Sequence, residues 1–107
     1  MTLDKDSLIV ITGIAGLVGQ NLALRLRNQG YTNIAGIDKN GYNLNILKEH
    51  QPNIQLVEAD IADQGGWEHL IGSAKVVILN QAQIGGLEYD EFHRNNVVAT
   101  QNILKAL

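Results

Sequence analysis

The stretch Leu8-Ile9-Val10-Ile11-Thr12-Gly13-Ile14-Ala15-Gly16-Leu17-Val18-Gly19 decides the fold. A short β-branched run comes first, glycines follow at every third position, and a helical pattern then takes over, which predicts a strand, a tight turn and a helix start. Each glycine has its own physical reason. Gly13 stands where the chain leaves the strand sharply, and a residue without Cβ accepts backbone angles that others resist. Gly16 falls where the helix begins, so an anion can come close to the backbone and meet free N–H groups and the positive end of the helix dipole. Gly19, one turn on, lets the helix lie against the strand. The expected ligand is a pyrophosphate.

Glycines spaced in this way also occur in ordinary turns, and context separates the two readings. Here an amphipathic helix follows, then a second strand, Ile34 to Ile37, that runs into Asp38, 19 residues beyond Gly19. A carboxylate near that spacing holds the ribose hydroxyls of a dinucleotide.

The remaining sequence limits the possibilities further. A chain of 107 residues makes one small domain, and 45% hydrophobic with 18% charged residues describes a folded globular protein. No cysteine is present, which removes disulfides, thiolate catalysis and cysteine zinc sites. A net charge of −3 gives no electrostatic footprint for nucleic acid or an anionic membrane. The N-terminus is polar and acidic, and the apolar run behind it is too short for a signal peptide or a membrane span. A cytoplasmic location is the expectation.

Taken in order, strand one covers Leu8 to Thr12. Helix one covers Gly16 to Gln29, with Ala15, Val18, Leu22 and Leu26 on one stripe and Gly30 ending it in a left-handed conformation. Strand two spans Asn33 to Ile37, and a short helix spans Leu44 to Glu49, stopped by His50-Gln51-Pro52. Strand three is Ile54 to Glu58. Asp63 is placed to cap a short helix through Trp67 to Ile71. Strand four, Lys75 to Leu79, is apolar on both faces, as a buried parallel strand is, and the last helix runs from Tyr89 onward. Strands alternating with helices give right-handed crossovers and a parallel sheet of order 3-2-1-4 with helices on both faces. The ligand crevice then lies between strands one and four, at their carboxyl ends.

Thr12-Gly13-Ile14-Ala15-Gly16-Leu17-Val18-Gly19, Asp38, Asp60-Ile61 and Asn96-Val97-Val98-Ala99-Thr100-Gln101-Asn102-Ile103-Leu104 together resemble the extended short-chain dehydrogenase/reductase family, nearest the NAD-dependent epimerases and dehydratases of nucleotide sugars. The resemblance covers the whole chain in the right order. It implies a Rossmann-like NAD(P)-binding domain over residues 1–107, the N-terminal part of a longer enzyme, truncated before strand five. The glycine turn, residues Gly13 to Gly19, would bind the pyrophosphate and Asp38 the adenosine ribose. An acid there favours NAD over NADP, whose extra phosphate it repels, although the adjacent Lys39 attracts that phosphate. Asp60 would accept from the adenine amino group while Ile61 packs on the ring; a turn or cap acid is the plainer alternative. After strand four, Asn80-Gln81-Ala82-Gln83 would pass the nicotinamide ribose, with Asn80 and Gln81 standing where Leu-Ala is usual. Asn96 matches a helix asparagine that holds backbone and water near the site. Gly85 and Gly86 open a segment that borders the substrate in relatives, or a plain flexible loop.

The family's chemistry uses a Tyr-x-x-x-Lys pair, tyrosine as general acid or base and lysine lowering its pKa by its positive charge. Four residues after Tyr31, Tyr42 and Tyr89 come Ala35, Ile46 and His93, so no catalytic residue is assigned in this chain. No metal site is expected either. His50, His69 and His93 are scattered on polar helix faces, and Tyr89, Asp90, Glu91 and His93 form a solvated helix start. The expected function is therefore the cofactor-binding part of an NAD-dependent epimerase, dehydratase or reductase acting on a nucleotide sugar. The alternative is a non-catalytic module that binds or senses NAD(H). A flavin or nucleoside triphosphate site fits less well, since no P-loop Lys-Ser/Thr is present. A four-strand sheet would leave the edge of strand four open, so self-association through that edge is expected, or through a helical interface in a full-length enzyme.

Overall fold

In the computed structural model, which describes residues 3–80, 90 and 93–107, the chain is built outward from β1, Ile9–Thr12, whose four residues are all buried. The other strands are β2 (Ile34–Asp38), β3 (Gln55–Glu58) and β4 (Val76–Leu79). All pairings are parallel and the order is β3-β2-β1-β4. Val10 stands opposite Ala35 on one side and Val77 on the other, which fixes the register of the sheet centre. The expected fold is the one observed.

Side chains alternate across a strand, so each strand feeds two cores. Ile9 and Ile11 of β1 and Ile34 of β2 pack with Ala23 of α1 (Leu17–Asn28) and with Leu44 and Leu47 of α2 (Gly41–His50). On the opposite face, Val10, Ala35 and Ile37 pack with Trp67 and Ile71 of α3 (Trp67–Ser73) and with Ala99 and Ile103 of α4 (Ala99–Ala106). Both faces of the sheet are therefore covered. Burying an isoleucine contributes roughly 1.5–3 kcal/mol, so these facing rows hold the layers together.

Several local expectations are corrected. The buried face of α1 is Gly19 and Ala23, with Leu22 and Leu26 half-buried, whereas Val18 is 64% exposed. The backbone of α1 lies so close to the turn below it that no Cβ fits at Gly19, and Ala23 one turn on is fully buried. Helix α2 begins at Gly41 rather than Leu44, because the Asn40 side chain accepts the Asn43 N–H at 3.0 Å and caps it. Helix α3 starts after Gly66, not from a cap at Asp63, whose carboxylate is engaged elsewhere. Strand β4 is half-buried rather than buried, since among the described residues no strand pairs with its outer edge. The last helix is not uniform: Arg94–Val98 form a π-helical stretch before α4. Tyr89 lies outside the described residues. Gly30 closes α1 at φ 97°, as expected.

Gly36 in β2 faces Ile14, the fully buried residue of the glycine turn. A Cβ there would stand 2.7 Å from Ile14 Cβ and nearer still to its branches. Gly36→Ala should cost about 1–3 kcal/mol in urea unfolding through overpacking. Combined with Ile14→Ala it should cost less than the sum of the single changes, because the shortened side chain clears the space.

Candidate functional site

The strands are parallel, so their carboxyl ends share one edge, and a cleft of about 730 Å³ lies along it. Its floor and walls come from Gly13, Gly16, Leu17, Val18, Ile37, Asp38, Lys39, Ala59, Asp60, Ile61, Asn80, Asn95 and Ala99.

The glycine turn forms its centre. Gly13 takes φ 68°, and its N–H donates to Ile37 O at 2.8 Å, so the turn is tied to β2 as it leaves β1. Gly16 is the N-cap of α1 without a side-chain cap, and the first turn of α1 carries no acid. The N–H groups of Leu17 and Val18 have no acceptor within the helix, and both residues stand on the cleft wall. The helix dipole adds a partial positive charge at this point. Gly19 sits beneath, where a Cβ would lie 2.7 Å from Ile14 Cα and closer to Gly13 O. The backbone contact that it permits brings the helix end over the strand ends.

Asp38 ends β2 at the cleft's lip. Its Oδ2 accepts the Ala15 N–H at 2.9 Å and its Oδ1 accepts the Asn40 N–H at 2.9 Å. A carboxylate has about four acceptor positions, so further acceptor capacity remains on this half-buried group. Lys39 Nζ donates to Asn95 Oδ1 at 2.9 Å, across 56 residues of sequence.

Asp60 follows β3. Its Oδ1 accepts the Ala62 N–H at 3.0 Å, and Arg94 Nη2 donates to its Oδ2 at 3.0 Å and to Asp63 Oδ2 at 2.9 Å. Desolvation raises the Asp60 pKa, but the Ala62 hydrogen bond, the Arg94 guanidinium and the charge of Lys39 outweigh it, and the net direction is down. The Arg94 pKa moves up, chiefly through its hydrogen bonds to Asp63 and Asp60.

At the end of β4 the Asn80 N–H donates to Thr12 Oγ1 at 3.1 Å and its side chain donates to Gly13 O at 3.3 Å. The buried Thr12 hydroxyl in turn donates to Ile78 O at 3.3 Å. These bonds latch the end of β4 to the glycine turn.

Of the residues singled out by sequence, Gly13, Gly16, Leu17, Val18, Asp38, Lys39, Asp60, Ile61 and Asn80 line the cleft. Ile14, Ala15 and Gly19 are buried behind it, and Ala15 contributes its N–H to Asp38. Asn96 is half-buried in the π-helical stretch, its carbonyl accepting from Thr100 Oγ1 at 2.6 Å, while Asn95 and Ala99 supply the wall. Gln81, Ala82, Gln83, Gly85 and Gly86 lie outside the described residues. His50 and His69 are exposed and His93 half-buried. Sequence reasoning missed Arg94 and Asn95. The only sequence signal for Arg94 was its charge, opposite to that of Asp60 and Asp63 and 34 and 31 residues away.

A model of the NAD-dependent epimerase/dehydratase family matches residues 9–107. The chain belongs to that family. A 2-alkyl-3-oxoalkanoate reductase of Stenotrophomonas maltophilia is 29% identical to it over 104 residues, covering 92% of this chain and 28% of the relative. Bordetella bronchiseptica WbmG, solved in complex with NAD and UDP, is 28% identical, with a TM-score of 0.75 over 92% of this chain and 32% of that one. Pen from Bacillus thuringiensis, 22% identical, superposes with a TM-score of 0.84 over 94% of this chain and 34% of its own, a likeness of fold. The chain thus spans about a third or less of the proteins that it matches.

Because the folded-state pKa of Asp60 is lowered, its contribution to stability is present above the unfolded-state pKa and lost as pH falls through the folded one. Urea unfolding of wild type and Asp60→Asn should show a stability gap at neutral pH that closes as the pH falls below the ordinary aspartate range, through the lowered folded-state pKa. The gap should be modest and shrink in high salt, since the Asp60 and Arg94 side chains are 31% and 43% exposed.

Proposed function

We propose that this chain is the dinucleotide-binding part of a longer NAD-dependent enzyme acting on a nucleotide sugar, an epimerase, dehydratase or reductase. The observation that carries the proposal is the Asp38 carboxylate, held by the Ala15 and Asn40 N–H groups beside an uncapped helix end. An anion-attracting turn next to an acceptor for vicinal hydroxyls is the chemistry that a pyrophosphate joined to a ribose needs. The family description names NAD, and WbmG binds NAD and UDP. The share of the relatives that the chain spans supports the reading of residues 1–107 as one part of a larger protein.

In this reading the pyrophosphate lies on Gly13 to Val18, with Ile14, Ala15 and Gly19 shaping the turn from behind. Asp38 takes the adenosine ribose and disfavours a 2′-phosphate, against the pull of Lys39. Asp60 and Ile61 take the adenine. Asn80, Gln81, Ala82 and Gln83 pass the nicotinamide ribose, and Asn96 supports the site. The cofactor, when bound, supplies reversible hydride exchange with a sugar carbon; these residues bind and orient it. The acid–base pair for that exchange is sought outside these residues, since no tyrosine here has a lysine four positions on. A cytoplasmic location fits the cysteine-free sequence.

Calorimetric titration with NAD and NADP tests the site. Wild type should bind NAD in preference, and Asp38→Ala should weaken NAD roughly tenfold or more, as expected on losing hydrogen bonds to a charged acceptor. It should weaken NADP less. An unchanged NAD affinity, or no binding by wild type, would overturn the reading.

We also propose that residues 1–107 taken by themselves pair with a second copy through the open edge of β4, since Val76–Leu79 bond to β1 on one side only among the described residues, whereas a longer enzyme would associate through a helical interface. Sedimentation across a concentration series should show a monomer–dimer equilibrium. Lys substituted for Leu79, 43% exposed, should shift it toward monomer.

A further inference from the structure

The two residues that sequence reasoning missed lie together and act on the same end of the cleft. Arg94 and Asn95 open a π-helical stretch in which the Ala99 N–H bonds back to Arg94 O, five residues earlier. Such a stretch carries one residue more than an α-helical turn; it is rare, and it is frequent at functional sites. From this stretch Arg94 reaches Asp60 after β3 and Asn95 accepts from Lys39 after β2, while Ala99 and Ile103 stay in the core.

A dinucleotide whose pyrophosphate rests on the glycine turn and whose ribose meets Asp38 must place its purine further along the same edge, beyond β2 and toward β3. There the cleft is walled by Asp60 and Ile61. Asp60 reaches this wall with one bond on each oxygen, from the Ala62 N–H on Oδ1 and from Arg94 on Oδ2. Asp63 accepts from the same Arg94 nitrogen at 2.9 Å, so one Nη2 is shared by two carboxylates. Two bonds fix the carboxylate plane and leave acceptor capacity for a ligand donor.

Resting on the dinucleotide reading above, we propose that Arg94 is a positioning residue for purine recognition. By holding the Asp60 carboxylate on the cleft wall, it makes the site prefer a purine with a 6-amino donor over one with a 6-oxo acceptor. Lys39 and Asn95 form a second tie between the same helix and the end of β2, which keeps Arg94 over the purine. The lowered pKa of Asp60 agrees with a group kept as an acceptor.

The test is titration with NAD and with its hypoxanthine analogue, in which an oxo group replaces the 6-amino group. Wild type, Arg94→Met, Arg94→Lys and Asp60→Asn are compared, with thermal unfolding as a check on folding. Wild type should prefer NAD by roughly tenfold or more, the size of a hydrogen bond to a charged acceptor. Arg94→Met and Asp60→Asn should bring the two ligands within about twofold of each other, and Arg94→Lys should restore part of the preference. A merely structural role would weaken both ligands alike and leave their ratio untouched. Should Arg94→Met fail to fold, the ratios of Arg94→Lys and Asp60→Asn carry the same test. A wild-type preference that persists in Arg94→Met would overturn the role of Arg94 while leaving the dinucleotide reading in place. Equal binding of both ligands by wild type would overturn this inference together with the placement of Asp60 at the purine, and the Asp38→Ala titration would then decide separately whether the cleft takes a dinucleotide. Tighter binding of both ligands by Arg94→Met would mark the arginine as a competitor for Asp60 and overturn the proposal.

Discussion

Helix α1 rests its first turn directly on the chain that leads into it. At Gly19 a single added carbon would stand 2.7 Å from Ile14 Cα and nearer still to Gly13 O, so backbone meets backbone with no side chain between. Everything at the carboxyl edge follows from that approach. Because Gly19 lets α1 sit this close, its uncapped N-terminus lies over the end of β1, and Leu17 and Val18 become the wall of a cleft. The same closeness drives Ile14 down into the core, where it fills the space that Gly36 leaves in β2. Two glycines on different elements thus bracket one isoleucine.

A turn held from below must also be held from the sides, and the ends of β2 and β4 supply the ties. The Gly13 N–H bonds to Ile37 O at 2.8 Å, and the Ala15 N–H bonds to Asp38. Asn80 bonds to Thr12 and to Gly13 O. These are polar groups in a half-buried setting, where a bond left unmade costs more than a bond made contributes. Their joint satisfaction makes the edge rigid before any ligand arrives, and preorganised donors bind with less ordering cost.

The fold was legible because its signals are local and redundant. Alternating β-branched runs and Gly30 at a helix end each report on their own few residues, and all point to a parallel sheet of order 3-2-1-4. The centre of the site was legible for the same reason, since Gly13 to Gly19 and Asp38 carry spacing that a linear reading can measure. What escaped was decided between distant segments. Val18 fits the helical stripe of an amphipathic helix, yet the close seat of α1 puts Gly19 and Ala23 inward and Val18 in the cleft. Asp63 has the form of a helix cap, but a cation 31 positions later takes its carboxylate at 2.9 Å. The π-helical stretch has no signature in composition; it stands where Ala99 and Ile103 pack into the core and Arg94 reaches Asp60 and Asp63, contacts between segments far apart in sequence.

The exposed apolar residues then have a physical place. Leu17 is 80% and Val18 64% exposed, a poor arrangement for a helix that only had to cover a sheet. They stand at the first turn of α1, between the glycine turn and open solvent, where a bound ligand would be pressed against them. Apolar walls exclude water, and in a lower local dielectric the charge–dipole attraction of a helix end for an anion is stronger than it is in bulk solvent. A ligand that covered both residues would gain from their burial and strengthen its own polar contacts by the same act. A ligand there would relieve the energetic cost of leaving Leu17 and Val18 in water, which ties the least favourable feature of α1 to the helix end beside it.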